Sequence, residues 1–93
     1  MHYVYIMTNK KNGTLYIGTT WNLFERVKQH KYKEFAGFTK DNNCTILIYY
    51  EEYELATEAI QREKNMKKWK RFWKLRVIEE TNSEWNDLSL EWE

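Results

Sequence analysis

Two short runs, "YVYIMT" at 3–8 and "TLYIGT" at 14–19, flank a tight turn, and this pairing constrains the fold more than any other feature of the chain. Both runs are rich in aromatic and β-branched residues, which suit a pleated surface. Between them "KKNG" at 10–13 carries Asn12-Gly13, a pair that tolerates the positive φ of a reversal. A β-hairpin is therefore expected at the start. Asn22 then stands where a helix N-cap belongs, and Glu25 three residues later completes a capping-box pair. The helix they open is expected to run through Lys31, and residues 34–43 form a loop around Gly37. "CTILIYYEE" at 44–52 reads as a third strand, so nearly continuous in apolar residues that a central place in the sheet is expected.

From Leu55 onward the pattern is helical. Leu55, Ala59, Met66 and Trp69 share one face at about 100° per residue. Phe72, Leu75 and Ile78 depart from that stripe, which predicts two helices with a break near Lys70. The order β-β-α-β-α-α defines an α/β (α+β) fold, a compact single domain with a three-stranded, mainly antiparallel sheet and flanking helices. Proline is absent and glycine occurs three times, so no flexible linker is expected. The domain is placed at 1–82 and an acidic C-terminal tail at 83–93.

Ninety-three residues allow one modest core. With 42% hydrophobic and 17% aromatic residues the chain is too rich in core formers to stay disordered. No stretch approaches the roughly 20 apolar residues of a membrane span, and residues 2–6 resemble a strand rather than a targeting segment. Cys44 is the single cysteine, which leaves no internal disulfide and no zinc-type cluster. A cytoplasmic protein with no membrane partner is expected.

The formal net charge of +1 conceals an asymmetry. Residues 62–76 hold eight Lys/Arg against one acid, whereas residues 79–93 hold six acids and no base. Lysines interleaved with Trp69, Phe72 and Trp73 suit a polyanion, because cations neutralise phosphates and aromatic faces stack on bases. The candidates for nucleic-acid contact are Lys64, Lys67, Lys68, Lys70 and Arg71. The same pattern also fits a solvated helix face offset by the acidic stretch.

Arg26 and His30, four apart, stack on one side of the first helix beside Leu23 and Val27, at the rim of its buried face. An arginine there can hold a phosphate with its planar fork, or form a surface ion pair. On the wheel of the second helix Glu63 falls between Ala56 and Ala59, inside the apolar stripe. A carboxylate so placed has to be paired, protonated or metal-bound, since an uncompensated buried charge is costly. Neighbouring Arg62 offers a local partner, although adjacent helical residues do not face one another. Tyr5 and Tyr16 lie on the hairpin strands, and Gly18 marks a turn or a close backbone approach.

These residues together resemble the GIY-YIG nuclease superfamily. "YVY" at 3–5 and "YIG" at 16–18 are similar to the paired motif that names it, and "NLFERVKQH" at 22–30 to its next block. "AIQREKNMKKWKR" at 59–71 resembles the block that holds the glutamate, and "NSEWNDL" at 82–88 the closing block. The likeness is greatest to small single-domain members related to the N-terminal nuclease domain found in excinuclease. The resemblance implies a metal-dependent endonuclease acting on DNA, or on RNA, with one Mg²⁺ or Mn²⁺ held by Glu63, water and substrate phosphate. In that scheme Tyr16 is the general base and Tyr5 positions the attacking water or shares the role. Arg26 holds the scissile phosphate, His30 assists the tyrosine or the phosphate, and Asn82 is the family's late asparagine. A phenol with a pKa near 10 needs cations to stabilise its phenolate, and Arg26, the metal and His30 are the expected sources.

The sequence departs from the pattern at three places. Tyr3 replaces the glycine of the first motif, Thr19 follows "YIG" where some relatives carry lysine, and Asn82-Ser83 stands for Asn-Pro. Two alternatives remain at this point. One is a non-catalytic nucleic-acid-binding module, repair-associated and of the same fold. The other is an interaction domain using the acidic, tryptophan-bearing tail. A monomer or weak dimer with salt-sensitive binding is expected, its specificity supplied by a protein partner or by nucleic-acid shape.

Overall fold

Strand β1 (His2–Thr8) pairs antiparallel with β2 (Leu15–Thr20), in a register that sets Tyr5 directly opposite Gly18. In the turn between them Asn12 takes φ 59°, and the Gly13 N–H donates to Lys10 O at 2.9 Å. The Thr8 hydroxyl closes the loop base by donating to Thr14 O at 2.8 Å. These details come from a computed structural model that describes residues 1–32 and 42–92. The loop expected over 34–43 lies outside the described residues except for Asn42 and Asn43, the latter at φ 54°.

The third strand, β3 (Ile46–Tyr53), also pairs antiparallel with β1, giving the order β2-β1-β3. This corrects the expected centre of the sheet: β1 holds it, with Val4, Tyr5, Ile6 and Met7 all fully buried. The apolar run of β3 has another cause. Its register moves from Ile6↔Tyr49 to Met7↔Leu47, leaving Ile48 as the extra residue of a β-bulge. Leu47 packs on one face of the sheet, while Ile48 and Tyr49 both pack on the other. An edge strand with both faces covered over that stretch looks central in sequence.

Each face has its own core. On one, Val4, Ile6, Ile17 and Ile48 meet Ala59 and Met66 of helix α2 (Ala56–Lys68), Ile78 of helix α3 (Arg71–Thr81), and Trp85. On the other, Tyr5, Met7, Leu47 and Cys44 meet Leu23 and Val27 of helix α1 (Leu23–Lys31). Each fully buried aliphatic side chain stabilises the fold by about 1.5–3 kcal/mol. Asn22 caps α1 as its position predicts, accepting from the Glu25 N–H at 3.1 Å. The reciprocal half of the capping box is replaced, because the Asn22 N–H donates to Thr20 Oγ1. Trp69 and Lys70 both take extended backbone and separate α2 from α3. Leu55 is 59% exposed, in contrast to its predicted place in the stripe, because it precedes the helix as its N-cap. Among the described residues no helix is long and apolar enough to cross a membrane.

Beyond the bulge, Tyr49, Glu51 and Tyr53 follow at the strand period of two and face α2. Glu51 accepts hydrogen bonds from Arg62 Nε and Nη2, each at 3.0 Å, and from the hydroxyls of Tyr53 and Tyr49. Trp69 lies under the same guanidinium, 4.9 Å from its ring centroid. Burial pushes the Glu51 carboxyl up, but the donors from Arg62, Tyr49 and Tyr53 outweigh it and hold it below the usual range. Arg62 therefore pairs across to β3 rather than with Glu63, and this bidentate fork fixes the rotation of α2.

Asn82 ends α3 and is buried. Its Nδ2 donates to Ile48 O at 3.0 Å and to Asn86 O at 2.8 Å, and its Oδ1 accepts from the Asn86 N–H at 2.9 Å. One amide thus ties the bulge to the following turn. Asn82→Ala is expected to cost about 1–3 kcal/mol, the penalty for leaving buried polar groups unpaired, as read from urea unfolding. The stretch after Asn82 packs on its own chain. The Leu88 N–H donates to Leu47 O at 2.8 Å, Asp87 pairs with Lys31 at 2.5 Å, and Trp85 is buried. Trp92 lies 6.5 Å from Phe24 and 6.1 Å from Tyr50 between ring centroids.

Candidate active site

Strand alternation puts Tyr5, Tyr16 and Gly18 on the sheet face that α1 covers, and His30 from the last turn of α1 closes over them. The three rings converge. Centroids are 6.2 Å apart for Tyr5–Tyr16, 5.6 Å for Tyr5–His30 and 5.3 Å for Tyr16–His30. A hydrogen bond of 2.9 Å joins Tyr5 Oη to His30 Nε2. Gly18 makes the arrangement sterically feasible, since a Cβ there would stand 2.7 Å from Tyr5 Oη and 3.0 Å from Tyr16 Cε2. The close approach expected at this glycine is the approach of two phenol rings.

Burial separates the three groups chemically. Tyr5 is fully buried, and this pushes its hydroxyl far above the ordinary phenol range, with Tyr16 adding to the effect. His30 is 3% exposed, deeper than the rim position its spacing predicts. Burial, reinforced by the charge of Arg26, pushes its pKa down to about 4. It is therefore neutral at neutral pH and does not belong to the positive field around the phenols, which corrects that expectation. Tyr16 is half-buried on the outer strand and is the more accessible of the two tyrosines. Arg26 is close enough for its charge to act on both Tyr5 and His30, and its Nη1 lies 3.4 Å from Thr19 O.

Glu63 approaches from the opposite face of the sheet. It is half-buried, not enclosed in the apolar stripe, because Ala56 beside it is exposed and the carboxylate reaches Lys67 at 3.2 Å. Helix α2 lies across β1 and β2. Since Arg62 points to β3, Glu63, about 100° further round, projects over the β2 flank. Tyr16 and Glu63 thus lie on opposite faces of the sheet, both toward its β2 side. Asn82 is elsewhere: its partner Ile48 is on β3, across the sheet from β2.

Among the predicted nucleic-acid contacts, Lys64, Lys68 and Lys70 are exposed and make no ion pair among the described residues. Lys67 is held by Glu63, and Arg71 donates to Asn12 O at 2.9 Å and Gly13 O at 2.6 Å. Cavities of about 320 and 470 Å³ flank Trp92, and neither is lined by Tyr5, Tyr16, His30 or Glu63.

The tyrosine pair on the hairpin lies beside an arginine and a histidine of one helix, and comparison with known proteins gives the class of the chain. The chain belongs to the GIY-YIG family, matching the GIY-YIG catalytic domain over residues 1–76. UPF0213 proteins of Staphylococcus haemolyticus and Staphylococcus aureus are 39% and 38% identical to it over 79 residues, 85% of this chain and 95% of theirs. The solution NMR structure of the UPF0213 protein BH0048 from Bacillus halodurans is similar with a TM-score of 0.58 at 25% identity, covering 97% of this chain and 96% of that one. These names state no activity. Tyr5, Tyr16, Arg26, His30 and Glu63 fall within the matched residues, and Asn82 falls beyond them.

Proposed function

We propose that the chain is a metal-dependent endonuclease that hydrolyses phosphodiester bonds, in DNA ahead of RNA. The observation that supports this most is the convergence of Tyr5, Tyr16 and His30 beside Arg26, with Glu63 on the opposite face toward the same β2 side. Among the described residues no three His, Cys, Asp or Glu side chains converge as a metal cage. A lone carboxylate fits a hard cation that keeps most of its waters and takes other oxygens from substrate phosphate. Glu63 is the residue that would hold Mg²⁺ or Mn²⁺, exchanging Lys67 for the ion. When bound, the ion supplies Lewis-acid stabilisation of charge on the phosphate.

The remaining work falls to the chain. Tyr16, half-buried and adjacent to solvent, takes the proton of the attacking water. Tyr5 orients that water or Tyr16, held in place by its bond to neutral His30. Arg26 holds the scissile phosphate with its fork. Asn82 contributes through the architecture of the bulge.

The Glu63–Lys67 ion pair favours a second reading, because such an i,i+4 pair also occurs on a purely structural helix. A non-catalytic nucleic-acid-binding module of the same fold would keep it. The deciding experiment incubates single- and double-stranded DNA and RNA with Mg²⁺ or Mn²⁺ and either wild type or Glu63→Gln. Cleavage by wild type and none by a folded Glu63→Gln protein is expected. Wild type that binds every strand and cuts none leaves the binding module in its place.

A further inference from the structure

Exposed charge is unevenly spread along the sheet on the side of α2, although Glu84 also reaches the hairpin, where it pairs with Lys11 at 3.8 Å. At the end where Thr20 and Tyr53 lie, α1 and α2 begin, and Glu25, Glu52, Glu54 and Glu58 are exposed there. At the hairpin end α2 finishes and α3 begins, and Lys10, Lys68 and Lys70 are exposed. On α2 two stripes, 63–67 and 64–68, run side by side at i, i+4 from the glutamate toward the hairpin, and Lys70 and Arg71 follow beyond the break. Arg71 confirms where they lead, since its guanidinium is seated on Asn12 O and Gly13 O.

Where the stripes end, two large aromatics are left in solvent. Phe72 is 65% and Trp73 50% exposed, edge to face with centroids 5.4 Å apart, and Arg76 lies over the Trp73 ring at 5.6 Å. Exposed rings beside cations are what a base-stacking platform requires. Exposure alone does not choose a platform, because Trp21 at 73% and Phe24 at 46% stand at the other end. There Glu25, Glu52 and Glu91 stand against the exposed Lys28, and Lys31 beside Phe24 is already paired with Asp87, so the local charge disfavours a polyanion.

We propose that a nucleic-acid strand leaves the β2 edge in one direction only, along the basic stripes of α2, and stacks a nucleobase on the Phe72–Trp73 step. This rests on the reading that puts the scissile phosphate between Tyr16 and Glu63. From Glu63 to Lys68, the end of α2, the helix advances by about 7.5 Å. At about 3.4 Å per stacked nucleotide that is at least about two nucleotides between the cut and the stacked base. Among the described residues the other side of the cut carries no comparable run of exposed lysines, so an asymmetric footprint is expected.

The test is equilibrium binding of a fluorescein-labelled 12-nucleotide DNA strand in EDTA, with cleavage suppressed. Wild type is compared with the double variants Phe72→Ala/Trp73→Ala and Trp21→Ala/Phe24→Ala. The first pair is expected to weaken binding about tenfold or more, and the second less than about twofold. Equal losses, or a loss only in the Trp21 pair, overturn the proposal. NMR of wild type needs no variant: the Trp73 indole N–H should shift on adding the strand while that of Trp21 stays, and the reverse pattern overturns it as well. If the protein binds in this way but never cleaves, the catalytic reading fails while the directional surface stands. If it cleaves and the two pairs behave alike, the surface fails and the catalytic reading stands.

Discussion

Tyr16→Phe is expected to slow phosphodiester cleavage by about 10²–10⁴-fold, the contribution typical of a positioned general base, with a smaller loss of stability than Tyr5→Phe. The expectation discriminates between two tyrosines that lie in one cluster. Tyr5 is fully buried, and its proton is held so far above the ordinary range that it is a poor choice to accept another group's proton through a phenolate. Its hydroxyl is also engaged by His30 at 2.9 Å. Tyr16 is partly open to solvent on an edge strand, with its ring against the same histidine but no such burial. Tyr5→Phe should therefore reduce the rate less than Tyr16→Phe and should destabilise the fold more, since it orphans a buried histidine nitrogen. Single-turnover cleavage beside urea unfolding separates the two. If Tyr5→Phe proves the more damaging to rate while stability is untouched, the roles are reversed and the base is the buried phenol.

The hairpin, the α1 cap and the break between α2 and α3 were legible because each depends on neighbours in sequence. Asn12-Gly13 needs only its own φ values, and Asn22 needs only Glu25 within reach. What depended on sheet order was not legible. The apolar run of β3 mimicked a central strand because a bulge placed Ile48 and Tyr49 on one face while Leu47 filled the other. For the same reason the task of Arg62 was missed. The signal was present as Tyr49, Glu51 and Tyr53 at period two, but only with β3 beneath α2 does Glu51 become the partner that turns Glu63 toward β2. A helical wheel shows which residues share a face and not how that face is rotated, so it enclosed Glu63 too deeply. The uneven spread of charge along the sheet was hidden likewise, because the acids of β3 and the lysines of α2 are close in sequence and lie at opposite ends of the sheet.

His30 leads to a prediction that does not depend on catalysis. Its pKa is pushed down to about 4 in the folded chain against 6.5 for an ordinary histidine, so between these values the unfolded chain binds a proton that the folded chain refuses. Folding stability then falls with pH through that window, by about 1.4 kcal/mol per unit and about 3 kcal/mol in all from this one group. Above pH 6.5 the contribution is fully present, and below 4 both states are protonated and the loss goes no further. The physical cost is that of placing an imidazolium in the apolar α1 face beside Arg26, where the first positive charge already opposes a second. Glu51 and Asp87, held below their ordinary values of 4.5 and 3.8, begin to lose their contribution as pH falls to those values, so they add to the decline at pH 4, and the decline between pH 7 and 5 belongs chiefly to His30. Urea unfolding at pH 7, 6, 5 and 4 should show the decline in wild type and a much flatter line in His30→Gln. That variant starts from a lower value at pH 7, because the Tyr5 bond is weakened. Parallel lines would mean that His30 accepts its proton in the folded state as easily as in water, and the neutral histidine that steadies Tyr5 in the proposed mechanism would have to be abandoned.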